Sequence, residues 1–310
     1  MSKIEFDDTL QGALGDCWVL ATMSALAEKP ERIWKLFGTK KMNSAGIYAI
    51  NMYDLGVPVS VIVDDYIPVS YNDNKYVKVT GDEKEIWSIL IEKAFAKMNG
   101  NYASIVGGWP THAGYHLSGL SGEDVWTDKS ADEIWAKAVD WDAKGHIMMA
   151  GTSASANGIV GGHAYTVVSV HTMPNGDRVM KIRNPWGHTE WTGAYKDSDP
   201  FWASNPNTAS AVGFVNGNDG TFFMKVEDFK THFQALMANP DTSNWHHSYW
   251  MKIGDADSFG TTGNMWQCGS TCKHNKFTIT SPIAQTIHVA AHVHMKRQYV
   301  EAPCTDSFNW

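Results

Sequence analysis

The order in which helical and extended patterns follow one another restricts the fold of this chain more than any other feature. Apolar residues recur at helical spacing over residues 17–27 and again over residues 82–98. A further helical pattern at residues 131–144 leads into extended segments at residues 163–171 and 178–183. A helix-rich first part followed by a strand-rich second part predicts an α+β fold.

Shorter patterns complete this prediction. Residues 48–53 and 57–63 are β-branched and aromatic and flank Asp54-Leu55-Gly56, which predicts a hairpin. Residues 107–122 are rich in glycine and turn-forming residues and predict turns. The other expected elements are a short helix at 33–37, a strand at 221–225, a helix from 226, and strands at 247–252, 276–280 and 286–294.

The composition argues against several classes of function. The 310 residues carry a formal charge of −8 without a basic stripe, so nucleic-acid binding is not expected. The N-terminus lacks a secretory pattern, and no window approaches about eighteen consecutive apolar residues. We therefore expect a cytoplasmic protein without a transmembrane segment. The cysteines at positions 17, 268, 272 and 304 are too few for a disulfide framework and predict free thiols.

One of these cysteines lies where a nucleophile is expected. The segment from Gln11 to Trp18 has glycines at positions 12 and 15 and places Cys17 in the first turn of a predicted helix. Unpaired N–H groups and the helix dipole favour the thiolate there. Gln11 could add a second N–H donor beside the Cys17 backbone N–H, and two such donors form an oxyanion hole. A cysteine at a helix start is nevertheless more often a small buried hydrophobic residue.

Two downstream residues strengthen the catalytic interpretation. His163 follows two glycines at the start of a predicted strand, and Asn184 ends the partner strand of the same hairpin. An asparagine oxygen that accepts a hydrogen bond from the imidazole fixes the tautomer and orientation of the ring. Each residue alone is unremarkable, because the chain has 13 histidines and Asn-Pro is a common turn. The order Cys, His, Asn is what indicates a cysteine peptidase.

Four stretches carry a family resemblance: QGALGDCWVL, EIWSILIEKAFAKMNGNY, GGHAYTVV and KIRNPWGHTEWTGAY. They resemble the protease core of the calpains over about residues 1–240. The resemblance implies a papain-like core with two lobes, a helical lobe at 1–106 and a β-rich lobe at 107–240. A partial β-sandwich-like segment would follow at 241–310. It also implies that Gln11 is the oxyanion donor and that Trp186 shields the triad of Cys17, His163 and Asn184.

The same resemblance implies regulation by calcium. Asp8 and Glu85 match acidic ligands of one site in the helical lobe, and Glu190, Asp197 and Asp219 match those of a second site. Thr221 stands where the family usually has another carboxylate, which weakens the second site because calcium affinity depends on the number of carboxylates. The sequence contains no EF-hand loop.

Several alternatives stay open at this point. The chain could be a catalytically silent calpain-like scaffold or interaction module. Acyl transfer to an amine, as in transglutaminases, is less expected because those enzymes usually have Asp in the third role. Cys268, Cys272 and His274 resemble part of a zinc site without an evident fourth ligand. The expected partners are protein or peptide substrates, and another protein could bind through the C-terminal segment.

Overall fold

The structure is a computed structural model, and it describes residues 4–68, 77–79 and 85–242; for 77–79 it describes the backbone. All of these residues belong to one compact unit. The predicted strands after residue 242 and the residues of the partial zinc site lie outside the described residues. The division into lobes at residue 106 and the nature of 241–310 stay predictions.

The described part contains both helices and strands. The helices are α1 (Cys17–Ala27), α2 (Pro30–Leu36), α3 (Trp87–Met98), α4 (Pro110–Ser118), α5 (Ala131–Ala143), α6 (Pro200–Ser204), α7 (Pro206–Ala211) and α8 (Val226–His232), with a 3-10 turn at Tyr102–Ile105. The strands are β1 (Thr9–Gln11), β2 (Ile47–Asp54), β3 (Val57–Asp64), β4 (Val77–Val79), β5 (Glu123–Trp126), β6 (Ile147–Gly151), β7 (Ala164–Thr172), β8 (Arg178–Arg183), β9 (Thr221–Lys225) and β10 (Ala235–Asn239). The predicted α+β class is confirmed.

An antiparallel sheet of six strands organises the second half of this region. Its strand order is β5-β10-β6-β7-β8-β9. Strands β2 and β3 form a separate hairpin, and β1 pairs with β4. The β7–β8 hairpin predicted from the sequence is confirmed, and Thr166 pairs with Arg183 within it. The residues just before β7 and just after β8 therefore meet at one end of the sheet.

Helix α1 is the centre of the first hydrophobic core. All residues from Trp18 to Ala27 are buried, which is typical of a helix that is enclosed on every side. The helix packs on β7, where the Thr166 hydroxyl donates to the Ala21 carbonyl over 2.8 Å. Residue 17, the first residue of this helix, is thereby held against the sheet.

The two faces of the sheet bury different cores. In β6, Ile147 and Met149 belong to the core around α1, whereas Met148 and Ala150 belong to the second core. This second core includes apolar residues of α5 and α8, such as Phe229. The alternation follows from the period of two residues along a strand, and it gives a helix–sheet–helix layering.

The structure differs from the sequence predictions in two connections. Where residues 107–122 predicted turns, α4 forms with Pro110 at its first turn and Gly119 in the left-handed region at φ 86°. These are the residues that favour a helix start and a helix end, respectively. Pro30 likewise begins α2 rather than only interrupting the chain before a helix at 33–37. Within the described ranges, none of the helices is long and apolar enough to cross a membrane.

Candidate active site

His163 and Asn184 are brought together by the β7–β8 hairpin. His163 immediately precedes β7, and Asn184 immediately follows β8. The imidazole Nε2 lies 2.9 Å from the Asn184 Oδ1, and the two side chains are buried. The backbone of His163 is fixed by Thr152, whose hydroxyl accepts from the His163 N–H over 3.1 Å and whose own N–H donates to the His163 carbonyl.

The amide of Asn184 has a defined orientation because both of its ends have partners. Its Nδ2 donates to the Thr189 carbonyl over 3.0 Å, and its Oδ1 accepts from the Trp186 backbone N–H over 3.0 Å. The oxygen therefore faces the imidazole and can only accept a hydrogen bond from it. Nε2 of His163 must then carry the hydrogen, which leaves Nδ1 as the basic nitrogen of the neutral ring.

Cys17 begins α1 and is a partly buried free thiol. The backbone N–H of Ala164, the residue after His163, interacts favourably with its thiolate form. The packing of α1 on β7 thus brings the sulfur to the start of the strand that His163 precedes. The sequence-predicted thiol, ring and amide therefore gather at one end of the sheet.

The ionisation of Cys17 differs from the expectation drawn from the helix start. Burial raises the pKa of the Cys17 thiol, and the neighbouring Asp16 carboxyl raises it further, whereas the Ala164 N–H lowers it. Burial also lowers the pKa of His163, against the opposing effect of its bond to Asn184. In this conformation both groups favour their neutral forms at neutral pH, because desolvation disfavours each charge.

Trp186 connects His163 with Gln11. Its ring centroid lies 4.8 Å from that of His163 at an angle of 44°, and its indole N–H donates to the Gln11 Oε1 over 2.8 Å. The Gln11 Nε2 donates to the Leu14 carbonyl over 2.7 Å, which occupies one of its two hydrogens. The Gln11 backbone N–H also donates to the Pro185 carbonyl over 2.8 Å. The Trp186 ring therefore packs at a tilt beside the imidazole, and its shielding role stays a prediction.

The acidic residues predicted in the first calcium site are close to one another. Asp8 is buried, accepts from the Trp87 indole N–H over 3.1 Å, and contacts Glu85. Burial raises the pKa of Asp8 to about 6, and Glu85 adds to the increase. Glu5 and Asp7, which the sequence prediction missed, have ligand atoms within 4.8 Å of one another and of Asp8. Their only sequence signal was their position beside Asp8.

The three acids of the second predicted site also face one another. Burial raises the pKa values of Glu190 and Asp197, and the charge of Asp219 raises both further. Each carboxylate accepts a backbone N–H: Glu190 from Gly220 over 2.7 Å, Asp197 from Gly217 over 3.0 Å, and Asp219 from residue 221 over 2.7 Å. The buried Oδ1 of Asp197 has no hydrogen-bond partner in the described part of the chain. Thr221 begins β9 beside this group.

Arg183 interacts with both acidic groups and was also missed by the sequence prediction. Its side chain is 1% exposed, and its Nη2 donates to the carbonyls of Asp7 and Thr9 over 3.0 and 2.9 Å. Burial lowers its pKa to about 10, whereas the charges of Asp7, Asp219 and Asp8 oppose that change. The guanidinium thus interacts electrostatically with both groups of acids.

A thiol at the start of a buried helix, against a sheet that ends in a bonded His–Asn pair, is the arrangement of a papain-like cysteine peptidase core. The sequence model described as calpain family cysteine protease matches residues 1–238 of this chain. The chain therefore belongs to the calpain family, and the resemblance seen in its motifs is confirmed.

Individual relatives match the same region. Calpain-type cysteine protease DEK1 of Zea mays is 31% identical over 248 residues, which cover 76% of this chain and 11% of that protein. Calpain-12 of Mus musculus is 31% identical over 262 residues, covering 77% and 36%. Calpain clp-1 of Caenorhabditis elegans is 30% identical over 245 residues, covering 74% and 31%. The match thus spans about a tenth to a third of the length of these relatives.

Proposed function

We propose that this chain is a calcium-dependent cysteine endopeptidase that hydrolyses peptide bonds in protein substrates. The observation that carries the proposal is the bond between His163 Nε2 and Asn184 Oδ1, at the end of the sheet to which α1 brings Cys17. The bond directs the free Nδ1 of the ring away from Asn184, where a base for a thiol is needed. A cytoplasmic location and a protein partner for residues 241–310 stay predictions.

The proposed reaction proceeds through an acyl-enzyme. The Cys17 sulfur forms a bond to the carbonyl carbon of the scissile peptide while its proton passes to Nδ1 of His163. The imidazolium then gives this proton to the leaving amine as the carbon–nitrogen bond breaks. Water, deprotonated by Nδ1, attacks the thioester and releases the acid and the free thiol. Asn184 keeps the ring in position through both half-reactions, because its amide is itself held by Thr189 and Trp186.

The negative oxygen of the tetrahedral intermediate needs two donors. In our proposal the backbone N–H of Cys17 supplies one, because N–H groups of the first helical turn have no acceptor within the helix. The second is the Gln11 amide, which has one hydrogen beyond that given to the Leu14 carbonyl. The bond from the Trp186 indole fixes the Gln11 amide so that its nitrogen is available.

The acidic groups fit calcium in their chemistry. Hard carboxylate and carbonyl oxygens are the ligands that calcium prefers, and each of the two groups holds at least two carboxylates. We propose that Asp8 and Glu85 hold one ion and that Glu190, Asp197 and Asp219 hold the other, with the buried free oxygen of Asp197 available as a ligand. A bound ion would supply positive charge that relieves the mutual repulsion of these carboxylates.

The proposal can be tested by combining hydrolysis and labelling. Casein-type hydrolysis and covalent labelling by a thiol-reactive peptide probe would be measured with calcium and with chelator. The wild type is compared with Cys17→Ala and with a variant in which Cys268, Cys272 and Cys304 are replaced by serine. We expect calcium-stimulated hydrolysis in the wild type and the serine variant, and neither hydrolysis nor labelling when Cys17→Ala is added to the serine variant.

Each alternative has its own outcome in this experiment. Full activity in chelator would refute the calcium dependence and leave the peptidase intact. Labelling at Cys17 without hydrolysis of any substrate, in either condition, would refute the endopeptidase and favour the scaffold. The scaffold alternative stays open because Thr221 stands where the family usually has a carboxylate.

A further inference from the structure

Two buried carboxyl groups contact each other at the base of the helix that carries Cys17. Asp16 immediately precedes α1, and Glu92 lies in the middle of α3. Their residues are 0% and 1% exposed, and their side chains are within hydrogen-bonding reach of each other. A carboxyl pair this deeply buried is uncommon, because acids are rarely buried without a partner of opposite charge.

Within the described part of the chain this pair has no partner of opposite charge, and two other acids with buried carboxyl groups differ from it. Glu28 faces the cations Arg32 and Lys29, and Asp8 accepts two N–H groups. Among the described residues, Asp16 is the charged neighbour of Glu92, and neither oxygen of Asp16 nor the Oε1 of Glu92 accepts a hydrogen bond from another residue. The donor close to Asp16 is its own backbone N–H.

Two adjacent carboxylates in a desolvated site repel each other and cannot both be ionised near neutral pH. A single proton between them turns the repulsion into a hydrogen bond and removes one buried charge. We propose that Asp16 and Glu92 share a proton in the folded protein and act as a positioning pair, which limits the negative charge that Cys17 meets. The inference extends the proposed function, since it gives Cys17 its role as nucleophile.

The surroundings of the pair contain few other groups that could neutralise it. Lys93 and Lys97 leave α3 on another side, where they bond to Asp64 and to carbonyls of β3 and of the residues after it. The other titratable residues on elements packed against α3 are Cys17 on α1, Tyr102 on the 3-10 turn, Tyr48, Tyr53 and Asp54 on β2, Asp64 on β3, and Lys78 on β4, of which the backbone alone is described. Among these residues, none of the side chains that the structure describes is a cation, so a proton is the compensation that the described residues leave for the pair.

The pair matters to the nucleophile because Asp16 is the residue before it. The charge of Asp16 raises the pKa of Cys17, and a like charge close by disfavours a thiolate. While the two carboxyl groups share one proton, the pair carries a single negative charge, and part of that charge resides on Glu92, which is farther from Cys17 than Asp16 is. Removal of Glu92 would let Asp16 ionise at lower pH, whereas removal of Asp16 would leave a neutral Glu92.

The two substitutions therefore have opposite expected effects on Cys17. In a background with Cys268, Cys272 and Cys304 replaced by serine, the rate of alkylation by iodoacetamide would be followed against pH. We expect Asp16→Asn to move the midpoint to lower pH by about one unit, and Glu92→Gln to move it to higher pH. The control Glu31→Gln removes an exposed carboxylate of α2 and should leave the midpoint unchanged. Equal shifts in one direction would overturn the inference.

Infrared spectroscopy tests the shared proton without reference to catalysis. At about pH 7 the wild type should show the C=O stretch of a protonated carboxyl that Glu92→Gln lacks and Glu31→Gln retains. Loss of peptidase activity with this band intact would refute the proposed function and leave the pair standing. A wild-type spectrum that matches Glu92→Gln would refute the pair, whether or not the chain is a peptidase. Should Asp16→Asn fail to fold, the Glu92→Gln spectrum and alkylation profile still decide.

Discussion

Replacing Asn184 by alanine should remove the orientation of His163 while leaving the fold in place. Three hydrogen bonds of the Asn184 side chain would be lost: that with the imidazole at 2.9 Å and those with residues 186 and 189 at 3.0 Å. At about 1 kcal/mol each, their loss lowers the free energy of unfolding by about 3 kcal/mol. Most domains tolerate a loss of this size.

The effect on catalysis should be larger than the effect on stability suggests. Without Oδ1, nothing fixes the hydrogen of the imidazole on Nε2, so the ring can adopt the wrong tautomer or rotate. A positioned general acid or base contributes about 10²- to 10⁴-fold, and we expect loss of the orienting group to lower kcat/KM by about 10²-fold. The pKa of His163 should fall further, because the Asn184 bond favours its charged form.

Asn239 supplies a matched control for this experiment. It is an equally buried asparagine, and its Nδ2 donates to the carbonyls of Thr111 and Leu120 over 3.1 and 3.0 Å, away from His163. Hydrolysis of a fluorogenic peptide and urea unfolding would be measured for both alanine variants. Asn239→Ala should lose about 2 kcal/mol of stability with kcat/KM nearly unchanged. A similar loss of kcat/KM in the two variants would refute the orienting role of Asn184.

Three further predictions follow from burial and backbone geometry. Burial raises the pKa of Cys17 and lowers that of His163, so the alkylation rate of Cys17 in chelator should rise with a pH midpoint above that of a free cysteine. Calcium should lower this midpoint. A midpoint that does not change with calcium would contradict the prediction. Gly158→Ala should destabilise the protein far more than Gly176→Ala in thermal unfolding. Both positions have φ near +87°, but a Cβ at residue 158 would clash with the Glu190 carbonyl oxygen, whereas a Cβ at residue 176 would meet none of the described atoms. Comparable losses of stability would count against the clash. Burial raises the pKa of Glu28 from 4.5 to about 8, so between these pH values the folded protein keeps a proton that the unfolded chain releases, and the free energy of unfolding falls as the pH rises. Glu28→Gln should flatten this decline in urea unfolding. An unchanged dependence of stability on pH in the variant would argue against the raised pKa.

The sequence was most informative where the local signals were strong. Helix α1 was predicted because it is apolar and ends before Pro30, and the β7–β8 hairpin because residues 174–177 are turn formers, with Gly176 at φ 87°. These two elements carry the thiol, the ring and the amide. The order of the three residues therefore indicated the candidate site before any distance was known.

The sequence was least informative for strands that are buried on both faces and pair across long separations. Strand β6 reads Ile-Met-Met-Ala-Gly, every residue of it is buried, and its apolar run has no alternation that would distinguish it from part of a helix. Its partner β10 lies about ninety residues further along and also pairs with β5. Such pairings depend on tertiary packing, so no local pattern indicates them.

Electrostatic properties were the other part that local patterns could not supply. The helix start at Cys17 predicted a thiolate, but the enclosed position of the helix adds a desolvation penalty that only the fold reveals. The same holds for the pair of Asp16 and Glu92, which are 76 positions apart in the sequence and meet because α1 packs on α3. Glu5 and Asp7 join Asp8 for the analogous reason.

The packing of α1 also limits how the distance between Cys17 and His163 can change. Residues 18–27 are buried on every side of the helix, so rotating or sliding α1 alone would expose apolar surface and create cavities costing several kcal/mol. Trp186 and Gln11 are only partly buried, and a single hydrogen bond joins their side chains. We therefore expect a regulatory rearrangement to cost less free energy at the Trp186–Gln11 contact than at α1. Calcium-dependent changes in tryptophan fluorescence should accordingly be lost in Trp186→Phe. They should be kept in the control Trp191→Phe, because the indole of Trp191 donates to the Ala194 carbonyl and not to Gln11.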